Sequence, residues 1–372
     1  MNFKKLSLFH TMIFLVIFTF SIAFVSISFV SYKNFYSSHL YETMKEMDTE
    51  FLLTMMKQEN HYFGQSLPES YIAPSLAKMT FQLATNIELG ETYSLLGQEI
   101  PGLRFNEYRI IVAGEGMDIT SLPTESAPPL ETLLEERRVV KDWMEDDKED
   151  GPNNGRPLQE KPTVLIYHTH SYESFLPHLP DITDPNLANN NEVNIINVGE
   201  TLQKELEKRG INALIDTTNM ANALYDRGQN HAHAYQLSRE IVQDYINEHE
   251  SIDYIIDLHR DAARIETTLH SYNDEDFARL LFVVGESHPG FPENEQLAKD
   301  LHNRLESKQK GISRGVIGKN YNQGNGIYNQ DLTERALLVE FGGVDNHMDE
   351  LNRSAAVFAE VFSEYYYEQH RE

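Results

Sequence analysis

From residue 163 onward, short apolar runs alternate with amphipathic segments. The runs at 163–167, 212–216, 254–258, 280–284 and 336–341 are rich in Val, Ile and Leu and have the length of buried strands. Between them, segments 192–209, 231–248, 293–310 and 349–367 return an apolar residue every three or four positions, as a helix requires. In the first of these, Ile195, Val198, Leu202 and Leu206 share a face, and Gly210 marks the stop. Strands interleaved with helices predict an α/β domain over 163–370, a sandwich of a mixed, mostly parallel sheet with helices on both faces.

The pattern before residue 163 is different. Residues 11–31 carry no charge over a stretch long enough to cross a hydrocarbon core, and Lys4 and Lys5 precede it. That predicts a single-pass anchor in the cell membrane: 1–10 cytoplasmic, 11–31 transmembrane, everything after Tyr32 outside. A cleaved signal peptide is the competing reading, but the stretch is longer than a usual signal core and no small-residue cleavage site follows. Residues 32–122 form a smaller extracytoplasmic region, with helical periodicity around Phe51, Leu52, Met55 and Met56 and a strand at 108–113. Proline pairs, the acidic run 145–150 and the breaker 151–155 make 123–162 a linker holding one helix near 130–143.

Composition narrows the function. With 31 Lys plus Arg against 58 Asp plus Glu, the net charge of -27 disfavours a nucleic-acid partner. The chain has no cysteine, which removes thiolate catalysis and restricts any zinc ligands to His, Asp and Glu.

Candidate chemistry gathers where apolar runs end. His168 and His170 follow the first run, Glu192 opens a helical segment, His259 and Arg260 follow the third run, and Glu340 comes after Leu337, Leu338 and Val339 near the end of the last. Parallel strands bring such ends to one sheet edge, where α/β proteins bind ligands. Two histidines, a carboxylate ligand and a second carboxylate as base make a zinc hydrolase. At spacing i, i+2 in a strand, His168 and His170 face the same way, so both approach one metal or one binds while the other orients it. Glu340, after three apolar residues, is costly to bury unless it is metal-linked, protonated or ion-paired, for instance to Arg335 or Arg260. Glu192 alone reads equally as a surface charge at a helix start.

The order of these residues is similar to that of the zinc-dependent N-acetylmuramoyl-L-alanine amidases of bacterial cell walls. EVNIIN (192–197) with the following helix looks like their ligand-bearing helix, and DLHRDA (257–262) resembles their second histidine segment. A fuller resemblance, to the stage II sporulation protein P family, rests on IYHTHSYESF (166–175), DLHRDA, LVEFGG (338–343), VAGEG (112–116) and LPTESAPPL (122–130). It implies an amidase-like fold and a zinc-dependent peptidoglycan hydrolase, with amidase and peptide-crosslink endopeptidase activities, thinning the septum during engulfment beside stage II sporulation proteins D and M. By alignment with the amidases, His170, Glu192 and His259 are the zinc ligands, and His168 and Glu173 stand behind them. Glu340 would be the general base, and Arg260 would stabilise the oxyanion or pair with Asp257 or Asp261. The sequence departs from the amidases in having HTH where a glycine-rich turn is usual. A metal phosphoesterase or a non-catalytic wall-binding module are the readings from other classes.

Overall fold

The computed structural model describes residues 109–117, 122–123, 129–143, 155–321 and 323–370. A seven-stranded sheet is built from β1 (Arg109–Ala113), β2 (Val164–Tyr167), β3 (Ala213–Ile215), β4 (Tyr254–Asp261), β7 (Leu280–Gly285), β8 (Ser313–Lys319) and β9 (Ala336–Gly343), in the order β1-β8-β7-β9-β4-β2-β3. β3, β2, β4 and β9 run parallel, β7 and β8 run parallel to each other but opposite to β9, and β1 is antiparallel to β8. The mixed α/β sheet is as expected. β5 (Leu269–Tyr272) and β6 (Glu275–Ala278) form a separate hairpin.

Helices cover both faces. On one, α1 (Ile195–Lys208), α4 (Phe291–Lys308) and α5 (Met348–Gln369) bury Val198, Leu202, Leu301, Leu305, Phe358 and Phe362 against Ile166, Ile256, Phe282 and Val339. On the other, α3 (Ala234–Glu248) presses Val242 onto Leu165, Tyr167 and Ile255, after the short α2 (Met220–Asp226). Alternation along each strand feeds both layers, because neighbouring residues point to opposite faces.

Several boundaries moved for local reasons. The helix expected from Glu192 starts at Ile195, because Asn194 is its N-cap: its side chain accepts from the Ile196 N–H, and Asn197 reaches back to the Asn194 N–H. β4 runs on to Asp261, so His259 lies inside its strand rather than after it, and β9 extends past Glu340 to Gly343. Of the helix expected near 130–143 only Leu130–Leu133 is helical. The chain beyond it runs along the loop at 178–192, with Val140 N–H bonded to the His178 carbonyl. The strand at 108–113, expected in the preceding region, closes one edge of the sheet as β1.

The anchor expected at 11–31 and most of 32–122 lie outside the described residues. Among the described residues, no helix is long and apolar enough to cross a membrane. That finding corrects the fold and the location written from the sequence: neither a transmembrane element nor a single-pass cell-membrane placement is part of the structure described.

Candidate active site

The register of the central strands sets the site. β2, β4 and β9 point the same way, with Tyr167 beside Asp257 and His259 beside Glu340, so His259 and Glu340 are neighbours on one face near the C-terminal edge. β2 ends at Tyr167, and the chain turns through 168–173, with Glu173 N–H bonded to the His170 carbonyl at 3.0 Å. This turn returns His170 over the sheet edge. Its ring meets that of His259 edge-on at 5.1 Å, and the Tyr235 ring, from α3, lies 5.4 Å from His170 and 6.3 Å from His259.

Three residues after His170, Glu173 arrives at the same place. One of its carboxylate oxygens is 3.6 Å from His259 Nδ1 and accepts the Arg260 backbone N–H at 2.9 Å. The other ring nitrogen of His259, Nε2, is 3.2 Å from an Asp257 oxygen, although the approach is too far off line for a well-formed hydrogen bond. Asp257 is itself held by the Thr169 N–H at 2.9 Å and the Thr169 hydroxyl at 2.6 Å. A carboxylate behind one imidazole nitrogen while the other faces a second carboxylate is the arrangement that orients metal-binding histidines.

His170, Glu173, His259, Arg260 and Glu340 are thus brought together. His168 and Glu192 are not. His168 donates through Nδ1 to the Asp216 carbonyl at 3.0 Å, and its Nε2 lies against Gly199 of α1, where a Cβ would stand 2.4 Å away. The shared-face argument for His168 and His170 fails because the strand ends before either. Glu192 is exposed and faces Lys141 at 3.5 Å, because Asn190 ties down the N–H groups of Glu192 and Val193 and leaves the Glu192 side chain outside. The carboxylate beside the histidines is therefore Glu173 rather than Glu192.

Arg260 departs from its expected ion pairs. Its guanidinium donates to the carbonyls of Ala188 and Asp261 at 3.0 and 3.4 Å, and its buried Nε is not engaged by any protein acceptor. Asp261 instead pairs with the buried Arg314 at 2.6 Å.

Burial sets the proton inventory. Glu340 is pushed up to about 8, first by burial and then by the negative charges of Asp261 and Glu173, against the pull of His259 and Lys319. For His259 burial works downward, but Asp257, Glu173 and Glu340 outweigh it and raise the ring to about 10. His170 is held well below the usual histidine range by burial and by the neighbouring His231, His259 and Arg260. Burial also brings His168 down to about 4.

The group fits a divalent cation. His170 Nε2 and Glu340 Oε2 are buried without a protein hydrogen-bond partner, a cost that a bound ion removes. Nitrogen and carboxylate oxygen donors in a chain without cysteine suit zinc.

A second His/Asp group lies elsewhere. Asp142, His178 and His347 bring ligand atoms within 4.8 Å of one another. Their hydrogen bonds oppose a metal there. His178 Nε2 accepts the Met348 N–H at 3.0 Å and His347 Nδ1 accepts the Asp349 N–H at 3.3 Å, so the nitrogens facing Asp142, each at 3.2 Å, are the protonated ones. The trio ties the 139–143 segment to the start of α5.

The stage II sporulation protein P family profile matches residues 90–363. Stage II sporulation protein P of Bacillus subtilis (strain 168) is 38% identical over 337 residues, covering 89% of this chain and 84% of that protein. Among solved structures, a metallo-carboxypeptidase from Burkholderia cenocepacia overlaps with a TM-score of 0.33 at 14% identity, over 59% of this chain and 60% of that one. Cwp6 from Clostridium difficile overlaps with a TM-score of 0.32 at 13% identity, over 55% of this chain and 29% of that one. On the family profile and the Bacillus relative together, the chain belongs to the stage II sporulation protein P family.

Proposed function

We propose that the protein is a zinc-dependent peptidoglycan hydrolase of sporulation that cleaves amide bonds, with His170, Glu173 and His259 as metal ligands and Glu340 as general base. Family membership and the buried His, His, Glu, Glu group support a wall-hydrolase role. The observation that carries the reading is the convergence of Glu173 on His259 beside Glu340, at the sheet edge where His170 Nε2 is left without a protein partner. When bound, zinc lowers the pKa of a water and draws electrons from the scissile carbonyl.

This chain's own residues supply the rest. Asp257 steadies the His259 ring from behind. Glu340, beside His259 on the same face, takes the proton from the attacking water and returns it to the leaving nitrogen. Arg260, anchored to the Ala188 carbonyl with its Nε disengaged, stabilises the negative charge that develops on the carbonyl oxygen. The bond is the N-acetylmuramoyl-L-alanine amide, with the peptide crosslink as the second target, and stage II sporulation proteins D and M are the proposed partners. Mass spectrometry of fragments from purified peptidoglycan tests this. Release of free stem peptides that disappears on chelation is expected; intact peptidoglycan beside a protein that holds stoichiometric zinc overturns it.

A further inference from the structure

Behind His170 lies a pair of side chains that the proposed chemistry does not use. The Tyr172 hydroxyl is 3.0 Å from His170 Nδ1 and 2.5 Å from His231 Nδ1, and the His231 ring is stacked on that of His170 at 4.5 Å and 18°. Tyr172 is buried among Leu133, Met220, Leu224 and Leu237, so its ring is fixed and its hydroxyl has little choice of direction.

We infer that Tyr172 and His231 form a relay that fixes His170 with its proton on Nδ1, keeping the Nε2 lone pair aimed at the metal. One hydroxyl has one proton, and when that proton goes to one of these two nitrogens there are two patterns. If Tyr172 donates to His170 Nδ1, the His170 proton must sit on Nε2, which is buried with no protein acceptor and is then unable to bind a cation. If Tyr172 donates to His231 Nδ1, the hydroxyl oxygen accepts His170 Nδ1–H and His170 Nε2 is left as a lone pair. The second pattern leaves no buried N–H of His170 without an acceptor. His231 is the outer acceptor that selects it, and stacking keeps its ring in place. Both are positioning residues, since neither reaches the reacting atoms.

The inference rests on His170 being a ligand, so the test reads metal affinity and ring state rather than hydrolysis alone. Zinc is titrated into the metal-free full-length protein against a chromophoric chelator, and nitrogen-15 spectra report which His170 nitrogen carries the proton. Tyr172→Phe, which keeps the buried ring, should weaken zinc binding by roughly 10–100-fold, the usual effect of losing such a partner. His231→Leu should cause a similar loss, the double variant should be no worse than the poorer single, and His231→Gln, which retains an acceptor, should recover most of the affinity. The spectra should show the proton on Nδ1 in the unmodified chain. Unchanged affinity in Tyr172→Phe, additive losses in the double variant, or a proton on Nε2 overturns the relay. If His170→Ala binds zinc as well as the unmodified chain, the ligand assignment itself fails, which is a distinct result.

Discussion

Replacing Glu340 by Gln separates three properties of that side chain. Gln keeps the shape and one oxygen but cannot take a proton from water, so hydrolysis should fall by about 10² or more, the range for loss of a general base. Zinc content should stay, because His170, Glu173 and His259 remain. The third effect concerns folding. Glu340 titrates near 8 in the fold against 4.5 for its ordinary value, so between those limits the unfolded chain has released a proton that the folded chain still holds. Stability of the metal-free protein therefore falls across this window as pH rises. At 1.36 kcal/mol per unit the full rise corresponds to roughly 5 kcal/mol, an upper figure for a carboxyl sharing its site with His259 and Glu173. Gln does not ionise, so the E340Q protein should escape this loss.

Thermal melts of both metal-free proteins at pH 5 and pH 9 read the difference. At about 2–4 °C per kcal/mol for a domain of this size, even half of the upper figure separates the two by several degrees at pH 9, while near pH 5 they should nearly coincide. Parallel melting curves at all pH values would refute the burial argument for Glu340. Retained hydrolysis in E340Q would refute its role as base, and loss of zinc would turn it into a ligand.

Glu173→Ala should lose zinc and hydrolysis together, whereas Glu192→Ala, which touches only an exposed pair with Lys141, should keep both; atomic absorption on the two proteins decides between the carboxylates. Zinc affinity should rise about tenfold per pH unit between pH 6 and 9, because His259 holds a proton up to about 10 that the metal must displace, and a flat profile by isothermal titration would remove His259 from the ligand set. In the metal-free protein the raised His259 contributes stability that is complete below its ordinary 6.5 and is lost as pH climbs through 10, the same direction as Glu340. Gly199→Ala gains helix propensity but drives a methyl to within 2.4 Å of His168 Nε2, so a net loss of about 1–3 kcal/mol in denaturant melts, with zinc retained, is expected.

The sheet was legible where a strand is apolar throughout and hidden where it is not. β2, β7 and β9 announce themselves as Val, Ile and Leu runs. β8 has Arg314 and Lys319 near its ends and glycines at 315 and 318, a composition that argues for a loop. Both charged side chains are nevertheless buried at 1% exposure, and Arg314 is accommodated by Asp261, an acid from β4 that no local pattern connects to it. Similarly, the strand over 108–113 was visible, but its antiparallel seat beside β8 depends on a partner two hundred residues away.

For the site, His170, His259 and Glu340 were readable as polar ends of apolar strands, while the choice between Glu192 and Glu173 was not. The resemblance to the amidases favoured Glu192, at the start of the amphipathic stretch. The asparagines at 190 and 194 bind the backbone ahead of the helix and hold that carboxylate outside. The signal for Glu173 was its spacing: a strand that stops at Tyr167 must turn, and a turn brings residues three apart into the same neighbourhood. A second signal lay in β4. Asp257, His259 and Asp261 are separated by Leu258 and Arg260, so a period of two places three ionisable groups on one face of a strand buried at every position. Such a face persists only when each group has a partner. Asp257 takes Thr169 and His259, His259 takes Glu173, and Asp261 takes Arg314 and the Ala263 N–H. The face that demands partners is the face on which His170 and Glu340 converge, so the spacing of ionisable residues within β4 is a sequence signal for that side of the sheet.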